Sequence, residues 1–549
     1  MVHGGMRRLA LGLTTGTALA LSGAAMAQQV PARIDPGAIQ QQTLETQGQA
    51  SAPLSVPGSE TDGLVRPEVP PPLVFPAGGP TFRLKAVEFG SSSLLPQADL
   101  DAIAARYVGR DVDLSQVQSI ANEVNALYAD RGYVTASAIL PAQDLSSGRL
   151  QVQLVEGRTG NVSYEGRRTL RESYLAGVVR LPPDSVVDAP ALTRQVDRFN
   201  RTNAAQIQAS LAPGAGFGLT DINLAVIEPP RNTLQVFADN LGVETVGEYE
   251  GGLLYQNYGL LGLDDRLTAY GLYAEGNLFG NASYNLAVTP WGTRVGVSYS
   301  RSAIRIVDGP FVDLDVDGES EVVSANLSHP LYSAGPYLLL GNLATSYSQS
   351  QTNQSGVRIT DDETVKGTAG FSASYLGQIF SLTLSPTLSL ARADINITGE
   401  ELEYELFQIS GSGSVRLDEE TLLVARGTGQ YASARLLPGS DLFQIGGPAS
   451  VRGYPSSAAS GDSGYFYNLE LHRSLGRFVE GLEGFVFIDN GTVFSEFPAS
   501  LSLTSFGAGL NYSWNDRLRA EVSLGIPIED AVADQSDLSI YARLVATVF

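Results

Sequence analysis

The chain has 549 residues, too many for one ordinary domain, and contains 59 Gly, 23 Tyr and 20 Phe but no Cys. Without Cys there are no disulfides and no thiolate metal site. A net charge of −23, from 58 acidic and 35 basic residues, argues against a nucleic-acid partner, because phosphate recognition calls for clustered Lys and Arg.

Arg7 and Arg8 precede an apolar run from Leu9 to Leu21 and the small-residue site Ala25-Met26-Ala27. This reads as a cleavable export signal over residues 1–27. No other stretch approaches the ~20 apolar residues of a membrane-spanning helix. Residues 28–80 are polar and Pro-rich, with Val69-Pro70-Pro71-Pro72 and Pro76-Ala77-Gly78-Gly79-Pro80 at their end, a linker composition that favours extended backbone. Within it, Asp35-Pro36-Gly37 opens a short helix over residues 38–45, a helix on a tether.

The pattern is globular from residue 81. Residues 82–89 read as a strand, 100–107 and 115–130 as helices, and 134–140 and 149–156 as strands. In the longer helix Val117, Ile120, Ala121, Val124, Leu127 and Tyr128 recur on one face, and Gly132 ends it. The order repeats over residues 158–229, with a strand at 160–165, helices at 170–179 and 191–200, and strands at 206–211 and 220–228. Two β-α-α-β-β modules thus stand in tandem, 81–157 and 158–229. Gly214-Ala215-Gly216-Phe217-Gly218 lacks the Lys-Ser/Thr of a phosphate loop and reads as a hairpin connection.

Residues 230–549 show no helical period. In residues 380–390, Phe380, Leu382, Leu384, Pro386, Leu388 and Leu390 alternate with Ser381, Thr383, Ser385, Thr387 and Ser389, and residues 293–300 alternate likewise. An apolar face against a Ser/Thr/Gly face suits a barrel with lipid outside and water inside. Segment lengths near the ~9–11 residues of a tilted spanning strand, Trp291, Tyr299, Tyr512 and Trp514 beside segment ends, and a terminal Phe549 favour this over a soluble sandwich. At roughly 20 residues per strand and turn, about sixteen strands fit. Pro386 removes a ladder donor, so a bulge or weak pairing is expected there.

The longest Gly/Ser/Pro-rich connection, about residues 436–463, carries Val451-Arg452-Gly453-Tyr454. Downstream, Phe485, Phe487 and Asp489 share one face of an apolar strand that continues to Gly491. An ionised Asp in that setting needs a partner, and the Arg452 guanidinium is the natural one; two separately solvated pore charges are the alternative.

An export signal, a tethered helix, two β-α-α-β-β modules, Val451-Arg452-Gly453-Tyr454, Phe487-Ile488-Asp489-Asn490-Gly491 and Phe549, in that order, resemble the transporter component of two-partner secretion systems, of the hemolysin secretion/activation type. The resemblance covers essentially the whole mature chain. It implies two POTRA modules in the periplasm followed by a 16-stranded antiparallel transmembrane β-barrel in the outer membrane. By the same resemblance the leading helix plugs the pore at rest, the loop bearing Arg452 folds into the lumen onto Asp489, and Phe549 is the C-terminal assembly signal. The implied partners are a large exoprotein with an N-terminal secretion domain, outer-membrane lipid, and the barrel assembly machinery and periplasmic chaperones during biogenesis. No cofactor, metal or catalytic residue is expected.

Extended substrate is expected to add to a strand edge by backbone pairing, which tolerates varied sequence. The candidate groove lies between the helix at 191–200 and the strand at 206–211, with Ala191, Leu192, Gln195, Gln206, Gln208 and Ser210 as candidate contacts. Two rivals remain: a barrel-assembly factor of the same superfamily, and an outer-membrane lipid hydrolase. Against the hydrolase, His3 lies in the signal, and His329 and His472 have no Ser or Asp at a fixed spacing. In the last strand Thr547, Val545, Arg543 and Tyr541 share the parity of Phe549. An Arg facing mid-membrane costs about 2–4 kcal/mol, so Arg543 is expected to snorkel at an interface or to follow a bulge.

Overall fold

The computed structural model describes residues 31–51, 57, 64–65, 78–289, 291–495, 500–515, 517–532 and 535–549. The expected export signal and most of the Pro-rich linker lie outside the described residues.

In the first β-α-α-β-β unit, the helix Leu114–Asp130 begins at an Asp113 cap whose side chain accepts the Gln116 N–H, while the Gln116 side chain accepts the Asp113 N–H. Its buried stripe, Val117, Ile120, Ala121, Val124 and Tyr128, packs with Leu84, Leu150 and Val152. The strand expected over 82–89 is two pieces. Phe82–Arg83 pairs with Asp111–Val112, and Ala86–Phe89 pairs with Arg149–Glu156, because Leu84 between them turns into the core.

The second unit holds the helices Glu172–Val178 and Ala189–Thr202. Its sheet runs in the order Leu64–Val65, Gln206–Pro213, Leu219–Ile227, Arg158–Glu165. Residues 214–218 do form the hairpin connection between Gln206–Pro213 and Leu219–Ile227. The first strand of the sheet was invisible in the sequence: two linker residues lie in parallel beside Gln206–Pro213.

This unit is bolted to one rim of the barrel. The Asp264 carboxylate, 0% exposed, accepts the N–H groups of Ala204 and Ala205 (2.9 and 3.0 Å), the Tyr258 hydroxyl (2.8 Å) and the Arg294 guanidinium (2.8 Å). Arg201 donates to the carbonyls of Gly335, Pro336 and Tyr337. Glu228 accepts the N–H groups of Arg168, Thr169 and Leu170. Burial alone would raise the Glu228 carboxyl, but these bonds and the Thr169 hydroxyl hold it below its ordinary value. Asp264→Ala takes the carboxylate from the partly buried Arg294 and leaves the Ala204 and Ala205 N–H groups without their acceptor, and should loosen this joint by roughly 2–3 kcal/mol. Limited proteolysis should then release the N-terminal units faster while the barrel keeps its heat-modifiable mobility; unchanged cleavage would remove Asp264 from that role.

Sixteen antiparallel strands close the barrel, from Asn232–Asp239 to Ser539–Thr547. Five of them, from Val316–Ala334 to Glu400–Arg416, have 16 to 20 residues, against 8 or 9 in the first three. Outward rows switch chemistry at one height. Glu401, Glu403 and Glu405 give way to Phe407 and Ile409, Arg392 to Leu390, and Glu319 and Glu321 to Val323. This marks the outer edge of an apolar belt, and the long strands rise past it by about 20 Å at ~3.3 Å per residue. Above the belt Arg301 pairs with Glu319 and Glu321, and Arg392 with Glu401.

Pro386 produces no bulge. Pairing with Val357–Leu376 lapses between Gly370–Thr387 and Ala373–Leu384 and resumes in register, while Pro386 keeps its place opposite Ile409 on the other side. Arg543 neither snorkels nor follows a bulge. The outward row of the last strand is Ile540, Ala542 and Leu544, and Arg543 faces the lumen beside Asp239 (3.3 Å) and over the Phe237 ring. Phe549 was a poor anchor for parity because the strand ends at Thr547; the Phe549 carbonyl accepts the Leu234 N–H.

Candidate functional site

The loop between Thr421–Ala432 and Ser463–Ser474 folds back into the lumen instead of standing above it. Phe443–Ile445 and Ala459–Gly461 pair as a ribbon, and Gly446 and Gly447, at φ of +107° and +82°, turn the chain inward. Phe443, Ile445, Val451 and Tyr454 bury themselves against Phe466, Val493 and Leu503 of the wall.

At the tip, Arg452 grips Asp489 with both arms of its fork: Nε to Oδ2 at 2.7 Å and Nη2 to Oδ1 at 2.8 Å, with its own N–H on Oδ2 at 3.1 Å. Nη2 also meets Glu470 at 2.7 Å, and the guanidinium lies 3.5 Å from the Phe487 ring centroid. Asp489 is 0% exposed. A buried pair of this kind offsets its desolvation only through close, well-aligned bonds, and Asp489 accepts three of them from Arg452. The glycines set how close the loop can come. A Cβ on Gly491 would lie 3.1 Å from Val451 and 3.2 Å from Ile445, and one on Gly525 would lie 2.6 Å from the Gly453 nitrogen. Gly453 donates to the Tyr541 hydroxyl, and the Tyr454 hydroxyl donates to the Thr504 carbonyl.

Sequence reasoning missed Glu470 and its extension, although Phe466, Asn468, Glu470 and His472 form the inward row of Ser463–Ser474, against Tyr465, Tyr467, Leu469 and Leu471 outside. His472 lies between Glu470 and Glu483, 2.8 Å from each. The charged chain therefore runs from the loop tip toward the rim that carries the N-terminal units.

The helix Pro36–Ser51 sits in the lumen, longer at both ends than expected. Gln40 donates to Ser300, Gln47 donates to Glu250 and accepts from Arg543, and the Ala38 carbonyl accepts the Gln444 side chain of the inward loop. Its first turn packs against Gly318, above the apolar belt. Pro57 lies at the opposite rim, where its carbonyl accepts from Arg416, and Leu64–Val65 pairs in the sheet of the second unit.

Asp35 caps the helix by accepting the Ala38 N–H at 2.9 Å. Burial pushes its carboxyl up to about 6, against the pull of the Ala38 and Gly37 N–H groups. An acid raised on docking takes up a proton there, so docking strengthens as pH falls through about 6 toward the free value of 3.8. Channel recordings from about pH 7.5 to about pH 5 should show less opening on the acid side. Asp35→Asn should flatten that part of the curve; an unchanged curve would take Asp35 out of it.

The candidate substrate residues do not line one groove. Leu192, 1% exposed, lies in the core with Val196, Phe199, Ile207 and Ala209, so it is a packing residue. The Gln195 side chain accepts the Arg180 N–H. Gln206 and Gln208 are exposed on the sheet face turned away from the helix that carries Ala191 and Leu192. The strand edge is a different matter. Ile207 exchanges main-chain bonds with the Asn200 side chain, so odd-numbered positions aim their N–H and C=O away from Leu219–Ile227, and Ala209 stands opposite Leu64 at that edge.

Comparison with known families matches residues 82–157 to the ShlB-type POTRA domain and residues 218–512 to the haemolysin secretion/activation protein ShlB/FhaC/HecB. Among curated relatives, the outer membrane transporter CdiB of Dickeya dadantii is 26% identical over 416 residues, covering 72% of this chain and 73% of its own. The heme/hemopexin transporter protein HuxB of Haemophilus influenzae is 25% identical over 479 residues, covering 82% and 84%. The solved structure of CdiB from Escherichia coli superposes with a TM-score of 0.68 at 21% identity, covering 95% of this chain and 100% of that one, a likeness of fold. The chain belongs to the haemolysin secretion/activation family: it is a two-partner secretion transporter, with its barrel in the outer membrane and its POTRA region in the periplasm.

Proposed function

We propose that this chain exports one large unfolded exoprotein, whose N-terminal secretion domain is captured in the periplasm as an added strand along Gln206–Pro213. On this reading residues 158–229 are a second POTRA module, residues 36–51 a removable plug, and the Arg452 loop a lid locked to Asp489. The observation that carries it is the occupied edge: Leu64 and Val65 of the linker pair in parallel with Ala209 and Ser210. An edge that accepts this chain's own extended segment accepts another by the same main-chain bonds. Linker and substrate would compete for it, which couples capture to the plug at the linker's other end.

We also read residues 1–27 as a cleaved signal, Phe549 as part of the signal for the barrel assembly machinery, and the apolar belt as lipid-facing, with periplasmic chaperones acting before insertion. We assign the chain no catalytic step: among the described residues His329 bonds Thr293, and His472 bonds two glutamates.

Because the chain has no Cys, a single engineered pair tests the capture edge. Val65→Cys with Ser210→Cys, opposite each other in register, should lock the linker over the edge and stop export, and reductant should restore it. Export that proceeds unchanged with the disulfide formed overturns the capture site.

A further inference from the structure

Two apolar side chains tie the N-terminal end of the lumenal helix to the wall. Ile34 and Ile39 are buried in a cluster with Val243 and Val246 of the connection 240–249, Ile304 and Ile306 at the end of the strand Arg294–Arg305, and Val316. The lining residues all belong to the wall and its connections on the side away from the POTRA region. Elsewhere the nearby lumen is polar: Ser298, Ser300, Ser302 and Ser324 face inward on the same strands. The rim adds polar groups. The Thr245 hydroxyl donates to the Arg33 carbonyl at 2.6 Å, and the Glu244 carboxylate accepts the Ser456 N–H.

A water-filled pore does not need five aliphatic side chains converging at its mouth. Once the helix leaves, they form a bare apolar pocket, which is unfavourable in proportion to the area exposed. It lies at the last point an exported chain passes before the outside. An extended polypeptide passing there points successive side chains to opposite sides, so aliphatic residues at every second position meet the same wall. The resident ligand shows what the pocket accepts: two isoleucines on a polar segment, with a main-chain carbonyl held by Thr245.

We propose that this outer-mouth pocket is a binding site for branched aliphatic side chains, filled by Ile34 and Ile39 at rest and by aliphatic residues of the emerging exoprotein during export. The proposal rests on the plugged secretion-pore reading. Plug and substrate then exclude each other at the outer mouth, and an emerging chain holds the pore open by occupying the pocket the plug needs.

The test uses the chain lacking residues 31–51 in detergent, with retained heat-modifiable mobility as the check on folding, and a fluorescent peptide of residues 31–48 read by anisotropy. The peptide should bind, and its Ile34→Asp/Ile39→Asp version should bind at least tenfold more weakly. An unlabelled alternating Ile/Thr decapeptide should displace it, and an Ala/Thr decapeptide should not. Equal binding by the Asp version, or failure of the Ile/Thr peptide to displace, overturns the pocket. Conductance of the same deleted chain separates the two readings. Open channels with unselective peptide binding sink the pocket alone, whereas no gain in conductance sinks the plugged pore as well.

Discussion

Deleting residues 31–51 should turn a channel that is closed most of the time into one that conducts steadily, with at least a several-fold rise in time-averaged current across planar bilayers. A helix with its side chains is about 10–12 Å wide, and barrels of sixteen strands enclose a water-filled passage. The helix bonds to Ser300, Glu250, Arg543 and Gln444, which lie on separated parts of the wall and on the inward loop, so it spans the passage and does not line one side. The Arg452 loop should remain in place after the deletion, because its tip is held by Asp489, Glu470 and the Gly525 contact, none of which involves the helix. The deleted channel should therefore keep one constriction. Current equal to that of the intact chain would mean that this loop alone seals the pore, and the plug assignment would fall.

The parts that were legible in the sequence are those governed by local period. The stripe from Val117 to Tyr128, the alternation through residues 380–390 and the shared face of Phe485, Phe487 and Asp489 each follow from a spacing of 3.6 or 2. Leu192, Val196 and Phe199 form an equally clear stripe, and using it would have kept Leu192 out of the substrate groove. Other features depend on what meets across the fold. Leu64–Val65 have no strand signal of their own and are ordered by the edge they cover. The outer-mouth pocket gathers residues 34, 39, 243, 246, 304, 306 and 316, which no window of sequence brings together. Arg543 was misread because parity counted back from a residue beyond the strand carries no information about its faces; counted from Leu544 and Ile540, both exposed and apolar, it points inward. The pairing gap at Pro386 could be foreseen in kind but not in form, because which neighbouring strand lost its partner depends on the direction of the missing N–H.

Arg452→Ala should cost about 3–5 kcal/mol, because it strands Asp489 as a buried carboxylate without its cation, while Glu470 keeps His472 and Arg426. The expected readouts are a lower denaturant midpoint for loss of the folded barrel and export reduced at least tenfold. Arg452→Lys should recover only part of either. A single ammonium cannot bridge both Asp489 oxygens and Glu470 together, and it loses the planar stack on Phe487. The double change Arg452→Ala with Asp489→Ala separates two roles that the single change confuses. Removing both charges relieves the unpaired carboxylate, so stability should return toward that of the intact chain, while export should stay low if the loop must be held against the wall at Gly525. Recovery of both would show that the pair serves stability alone. A single Arg452→Ala variant with full export and an unchanged midpoint would remove the loop lock from the mechanism altogether.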